Sequence, residues 1–185
     1  MLIDFNGREI KGWEASPNEV ISVVKPCFLI GSENLADAAS WKASLSIIDH
    51  EAEKSGYVDS ITMVLSRVPS YSKLNLNIFE RIRDRQFALI STVSVEVDTN
   101  IVSPDAQTIK LKKTQRPKIG KGQYLGLSCS RGHHLNIHSR SSKGYKRNIF
   151  YGEPPSRRGQ ISTFKSYMGS DKRGTTAAGW YASII

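Results

Sequence analysis

The sequence predicts a mainly β fold: an antiparallel β-sandwich, with a jelly roll as one arrangement, one or two short helices and a basic, loop-rich C-terminal segment. Three observations predict it. Apolar and polar residues alternate with a period of two in about seven separate segments. Turn-forming residues separate those segments at intervals of roughly 10 to 16 residues. The chain of 185 residues is long enough for one hydrophobic core and short for two.

The first residues are expected to form an arm and a short helix. Apolar runs at 2–5 and 20–24 flank the turn-forming pair Asn6-Gly7, which indicates a hairpin or arm. Ser32 can cap a helix, because apolar residues follow it at helical spacing as far as Ala39.

Strands are expected from Trp41 onward, where one residue in two becomes apolar. The alternating segments are residues 41–47, 61–65, 74–78, 87–97 and 125–129, with shorter instances at 109–111 and 135–137. Residues 80–86 are charged, and Glu80 can pair with Arg83 three positions later, so a single helical turn is expected there.

The strand signal fades near residue 139, which divides the chain in two. Residues 1–139 are expected to form the sandwich core with its N-terminal arm. Residues 140–185 form a basic extension, rich in Gly, Ser and aromatic residues, that packs on the core or on a neighbouring subunit. The extension ends in an apolar run from Trp180 to Ile185, which is expected to dock on such a surface.

Charge is divided unevenly along the chain. Residues 1–105 carry 15 acids and 10 lysines and arginines. Residues 106–185 carry 16 lysines and arginines but only two acids, a net charge of +14. Such a segment cannot neutralise itself, so its potential persists until a polyanion or the acidic first part screens it. Nucleic acid is the commonest such polyanion, and a solvated basic face that aids solubility is the alternative.

The sequence therefore predicts binding of single-stranded RNA or ribonucleoprotein by the second half of the chain. Lysines and arginines would contact phosphates, and tyrosines between them would stack on unpaired bases. Duplex DNA is usually recognised by a helix in a groove, and no such helix is expected. The candidate residues are Lys110, Lys112, Lys113, Arg116, Lys118, Lys121, Arg131, Arg140, Lys143, Tyr145, Lys146, Arg147, Tyr151, Arg157 and Arg158.

Two other hypotheses about the same region involve its histidines. His134 and His138, with lysines nearby, could cleave RNA by general acid-base chemistry, which defines a small nuclease as an alternative function. Cys129 with three histidines offers zinc-ligand types, but His134 and His138 would lie about 13 Å apart on a strand, too far for one tetrahedral ion. We expect no metal and no cofactor.

Other functions are constrained by what the sequence lacks. It contains no P-loop, no G-x-G-x-x-G, no G-x-S-x-G and no H-E-x-x-H, so the expected protein is not an enzyme. Isolated cysteines and the absence of a signal peptide predict the cytoplasm or nucleus of a host cell, or a virion. A basic surface also attracts anionic lipid, so a membrane-surface assembly protein is a further alternative.

The general character of the chain resembles small structural and transport proteins of RNA viruses. Residues 58–67 are similar to a core strand of the 30K-type plant viral movement proteins, although that family expects an Asp shortly before Arg67. Matrix proteins of negative-strand RNA viruses also combine β-rich folds with basic surfaces. Some carry Pro-Pro-x-Tyr, whereas Pro154-Pro155 is followed here by Ser156-Arg157. These resemblances imply a self-associating matrix, coat or movement protein, and they cover too little of the chain to assign residues.

Overall fold

The computed structural model of this chain confirms a mainly antiparallel β fold of the sandwich class. It describes residues 28–31, 35, 39–40, 43–142, 149–167, 175–177 and 179–185. The N-terminal arm and most of the helix expected after Ser32 lie outside these residues, while Ala39 lies in a strand. The strands are β1 (Phe28–Gly31), β2 (Ala39–Ser40), β3 (Leu45–Ile48), β4 (Gly56–Met63), β5 (Lys73–Arg83), β6 (Gln86–Glu96), β7 (Gln107–Lys110), β8 (Lys118–Ile119), β9 (Tyr124–Ser128), β10 (His138–Ser142), β11 (Ile149–Gly152), β12 (Ile161–Thr163), β13 (Lys165–Tyr167), β14 (Thr175–Ala177) and β15 (Trp180–Ile184).

Two sheets form the sandwich. Sheet I has the order β1-β15-β4-β7, and β8 also pairs with β4. Sheet II has the order β12-β6-β5-β9-β3-β11-β13. Strands β14, β10 and β2 form a small third sheet. Neighbouring strands pair in antiparallel fashion throughout, as the short turns between alternating segments predict.

The main core lies between Sheets I and II. On β5, Leu74, Leu76 and Ile78 are fully buried and belong to the same apolar cluster as Ile61 and Met63 of β4. The residues between them on β5 therefore project to the opposite side of Sheet II. Each such aliphatic side chain contributes about 1.5 to 3 kcal/mol when it is fully buried.

Sheet II curls into a near-barrel because one extended run, residues 161–167, pairs with both of its edges. The first half of this run, β12, pairs with β6, and the second half, β13, pairs with β11. A second apolar cluster fills the concave side; it comprises Leu45, Ile47, Phe79, Phe87, Leu89, Tyr124, Phe150 and Phe164. Gly126 belongs to this surface, since a Cβ there would lie 2.8 Å from the Phe79 ring.

The prediction of a helical turn at residues 80–86 is wrong. Strand β5 continues to Arg83, and β6 begins at Gln86 after a tight turn in which Asp84 has a φ of 29°. Arg81 lies on this hairpin, with its guanidinium 5.2 Å from the centre of the Phe150 ring and 3.3 Å from an Asp49 carboxylate oxygen. Arg81 therefore caps the aromatic cluster, and the segment forms a hairpin instead of a helical turn. The helix within the described residues is a 3-10 turn, Lys113–Gln115.

The C-terminal part of the chain supplies strands to all three sheets. Strand β11 lies beside β3 in Sheet II, and β15 lies between β1 and β4 in Sheet I. Trp180 and Ile184 of β15 are fully buried, so the apolar C-terminal run docks on the chain's own core. Over the described residues, no helix combines the length and apolar character that a membrane crossing requires.

Candidate functional site

The most coherent basic surface follows the segment 107–122, which runs antiparallel along β4. Lys110 pairs with Ser60 through β7, and Lys118 pairs with Tyr57 through β8. Between these pairings, the Leu111 N–H donates to the Asp59 carbonyl and the Val58 N–H to the Pro117 carbonyl. We call the lysines of this segment the lysine edge: Lys110, Lys112, Lys113, Lys118 and Lys121.

The pairing register places this surface on the outer side of Sheet I. Residues directly opposite each other in an antiparallel pair project to the same face. Ile61 and Ile109 are opposite each other and pack on the inner, buried side. Lys110 is one residue from Ile109 and therefore projects outward. All five side chains of the lysine edge are exposed.

Two tyrosines accompany these lysines, and the sequence analysis missed both. Tyr57 is 50% exposed and lies directly opposite Lys118. Tyr181 of β15 is partly exposed and lies opposite Thr62 on the same outer face. Tyr57 lies in the acidic first part of the chain, and Tyr181 lies in the apolar C-terminal run, which is typical of a core segment. Only the strand register places both tyrosines on this surface.

The lysine edge carries uncompensated charge. Within the ranges that the structure describes, none of its five lysines lies within 4.0 Å of a carboxylate oxygen. Arg116 differs, because its Nη2 lies 2.5 Å from Oδ1 of Asp59 and both side chains are less than one-fifth exposed. Of the candidates in this segment, Arg116 is therefore the one that an acid of the N-terminal part neutralises.

Other predicted candidates lie on the opposite side of the sandwich. Arg157 and Arg158 are exposed at the rim of a cavity of about 540 Å³ that also includes Asn75 and Asn77 of β5. These asparagines alternate with the core residues of β5, so they project away from Sheet I. The structure therefore divides the predicted basic residues into at least two separate surfaces.

Arg131 and Tyr151 line a neighbouring cavity of about 550 Å³, together with Lys165 and Glu153. Glu153 gives this cavity mixed charge, and Ser44 Oγ lies 3.4 Å from its carboxylate. Arg140 lies on β10, but its side chain is outside the described residues. The remaining predicted candidates also lie outside them: Lys143, Tyr145, Lys146 and Arg147.

Cys129 and the two described histidines of this region lie in different surroundings. The Cys129 side chain is buried and donates to the Ser44 carbonyl at 3.7 Å, and burial raises the pKa of its thiol to about 11. His133 and His134 are exposed, and His133 Nδ1 is 2.9 Å from the Ser70 hydroxyl. The His138 side chain is outside the described residues. Among the residues that are described, no group of three His, Cys, Asp or Glu side chains could hold a metal ion.

No protein family, curated protein or solved structure significantly matches this chain. Inferences about function therefore depend on the chemistry and placement of its own residues.

Proposed function

We propose that this chain is a non-enzymatic, viral-type structural or transport protein that binds RNA or ribonucleoprotein and self-associates, as a matrix, coat or movement protein does. The observation that carries the proposal is the lysine edge: five exposed lysines on one antiparallel segment, without carboxylate partners in the described structure and with Tyr57 beside them.

Electrostatics supports a polyanion as the partner. Lysines that lack internal partners keep their potential in solution, and neutralising them with phosphates releases counterions from the nucleic acid. Lys110 lies opposite Ser60 of β4, and Lys118 lies opposite Tyr57 of β4. These two β4 residues are three positions apart, which is about 10 Å at strand rise. The surface thus offers several phosphate contacts along one line.

Tyr57 favours single-stranded RNA over a duplex. Its ring is half exposed and lies opposite Lys118, so a base could stack on it while an adjacent phosphate contacts the lysine. Base-aromatic stacking needs an unpaired base. The surface itself is a sheet face with an edge strand, whereas major-groove recognition commonly uses a helix.

The test is the salt dependence of binding to a single-stranded RNA oligonucleotide, measured by fluorescence anisotropy. The triple variant Lys110→Ala/Lys112→Ala/Lys118→Ala is expected to weaken binding and to reduce the slope of log K against log salt by about 2, since each lost phosphate contact removes about 0.7. The control is Lys73→Ala/Arg83→Ala/Arg85→Ala, which removes the same charge from exposed positions on β5 and in the turn that follows it. Equal losses in the two variants, or a wild-type slope near zero, would overturn the proposal.

Flotation with liposomes separates RNA from lipid as the polyanion. If RNA is the partner, the wild-type protein binds the oligonucleotide at salt concentrations at which it no longer floats with anionic vesicles. Flotation that outlasts RNA binding would overturn the RNA assignment and favour a membrane-surface protein. Self-association is measured by light scattering with and without RNA, and a monomer under both conditions would contradict that part of the proposal.

A further inference from the structure

The concave side of Sheet II changes from apolar to polar along β5. Phe79 belongs to the apolar cluster, whereas Asn77 and Asn75, two and four residues earlier on the same face, do not. The polar part forms the floor of the 540 Å³ cavity bordered by Arg157 and Arg158. We call this cavity the asparagine groove; its polar floor is formed by Asn75, Asn77, Thr92 and Ser128.

The floor of the groove is held by hydrogen bonds. Asn77 is 3% exposed, and its Nδ2 donates to Ser128 Oγ at 2.8 Å and to the Asn75 carbonyl at 3.1 Å. Its Oδ1 accepts from Thr92 Oγ1 at 2.9 Å. The network fixes which groups of the floor donate and which accept. The Asn75 amide has no side-chain partner in the described structure, so it is available to a ligand.

The loop that carries the arginines is fixed to Sheet II. The Gly159 N–H donates to the Leu89 carbonyl at 2.8 Å, and the Leu89 N–H donates to the Gln160 carbonyl at 3.2 Å. Gly159 has a φ of +79°, which side chains rarely tolerate. Gln160 also accepts from the Ser156 N–H at 2.9 Å. Arg157 and Arg158 are therefore presented at the rim by a constrained loop.

The lining of the groove combines cationic, polar and apolar groups. Its lining residues include two arginines and no acid, unlike the neighbouring cavity with Glu153. Arginine binds phosphate in a bidentate manner, and the Asn75 amide can both donate to and accept from a base edge. Leu89 and the two prolines add apolar surface for a ring face. The volume is in the range of small-molecule sites, about 300 to 1,000 Å³.

We propose that the asparagine groove binds one nucleotide of a single-stranded RNA, with its phosphate on Arg157 and Arg158 and its base on the asparagine floor. This inference rests on the proposed RNA binding and adds a second, separate contact. The groove faces away from Sheet I, so it lies on the opposite side of the sandwich from the lysine edge.

The experiment titrates the full-length protein with the four ribonucleoside 5′-monophosphates, uridine and inorganic phosphate, each followed by NMR chemical shifts. We expect saturable binding of at least one monophosphate and weaker binding of uridine and phosphate, because each of these lacks half of the recognised group. Arg157→Ser/Arg158→Ser should reduce monophosphate affinity at least about tenfold. Asn75→Ala should weaken the monophosphate and leave inorganic phosphate unchanged. The control Arg83→Ser/Arg85→Ser removes two exposed arginines, one at the far end of β5 and one in the turn that follows it, and should bind as wild type.

Failure of this inference can be told apart from failure of RNA binding. No saturable binding of any monophosphate up to about 10 mM, or equal binding by wild type and Arg157→Ser/Arg158→Ser, overturns the nucleotide site. If the RNA oligonucleotide still binds through the lysine edge in that case, the proposed function stands without the groove. If monophosphates bind and the lysine-edge triple variant binds the oligonucleotide as wild type, the groove stands and the lysine edge does not.

Discussion

Arg116 and Asp59 form a close ion pair between the two electrically opposite parts of the chain. Nη2 of Arg116 lies 2.5 Å from Oδ1 of Asp59, and its Nε also donates to the Leu111 carbonyl at 3.3 Å. The guanidinium therefore ties the 3-10 turn at Lys113–Gln115 back to β4. Arg116 is thus engaged within the fold, whereas the lysines on either side of it remain available to a partner.

Removing either member of this pair is expected to destabilise the fold without changing the number of RNA phosphates bound. Asp59→Asn and Arg116→Gln should each lower the free energy of unfolding by about 1 to 3 kcal/mol, because each leaves a largely buried charged group without its partner. The double variant should lose less than the sum. Urea unfolding measures these values, and the salt slope of RNA binding should stay unchanged.

The control for this pair is Glu96→Gln. Glu96 lies 3.9 Å from Lys73, and both side chains are largely exposed, so its loss should be within about 0.5 kcal/mol. A loss at Glu96 as large as that at Asp59 would contradict the role assigned to the Arg116 pair.

Tyr57 is expected to contribute to RNA affinity through its ring. Tyr57→Ala should weaken binding of a single-stranded oligonucleotide by about 1 to 3 kcal/mol, while Tyr57→Phe keeps the ring and should bind as wild type. Ile82→Ala is the matched control, since Ile82 is similarly exposed, at 49%, but lies on Sheet II. If Tyr57→Ala and Ile82→Ala bind equally well, bases do not stack on Tyr57.

Trp180 is expected to stabilise the fold through the volume of its side chain more than through its N–H group. Trp180→Ala is expected to reduce the free energy of unfolding by about 3 to 5 kcal/mol, because it leaves a large cavity between the sheets. Trp180→Phe should lose clearly less, since the buried Nε1 has no hydrogen-bond partner in the described structure and its removal also removes an unsatisfied donor. Urea unfolding of the two variants tests the order, and equal losses would contradict it.

Cys129 is expected to be unreactive in the folded protein. Its pKa is raised to about 11 by burial, so about one thiol in a thousand is ionised at pH 8. In a Cys27→Ser background, Ellman's reagent should label Cys129 slowly at pH 8 and rapidly in urea. The folded protein keeps the Cys129 thiol neutral, whereas the unfolded chain ionises it above its ordinary pKa of 9.0. Cys129 should therefore lower the free energy of unfolding only above about pH 9. Rapid labelling of the native protein would contradict this burial.

Alternation predicted the strands that have one apolar and one polar face. Leu74, Leu76 and Ile78 are the clearest case, because the core lies on one side of β5 and the period of two follows directly. The pattern could not predict residues 80–86, since Arg81 is on a strand but serves as a cap on Phe150. Charged residues such as those at 80–86 are equally typical of the surface of a helix and of the open end of a barrel.

The candidate surfaces were predictable in composition and not in position. Charge counting identified Lys110, Lys118 and the arginine pair at 157–158, but it could not separate the outer face of Sheet I from the concave side of Sheet II. From the sequence pattern, Asn75 and Asn77 are predicted to lie on the solvent-exposed face of an ordinary strand. The cavity that they line is completed by a loop about 80 residues later in the chain, and no local pattern contains that information.

The shared edge at residues 161–167 has a consequence for synthesis of the protein. Strand β6 cannot acquire its β12 neighbour, nor β11 its β13 neighbour, until those residues have left the ribosome. A nascent chain that has only reached residue 160 therefore holds two unpaired strand edges in Sheet II, which favour association with other chains. Closure of the ring must therefore follow translation of residues 161–167, and chaperones that shield open strand edges would act in that interval.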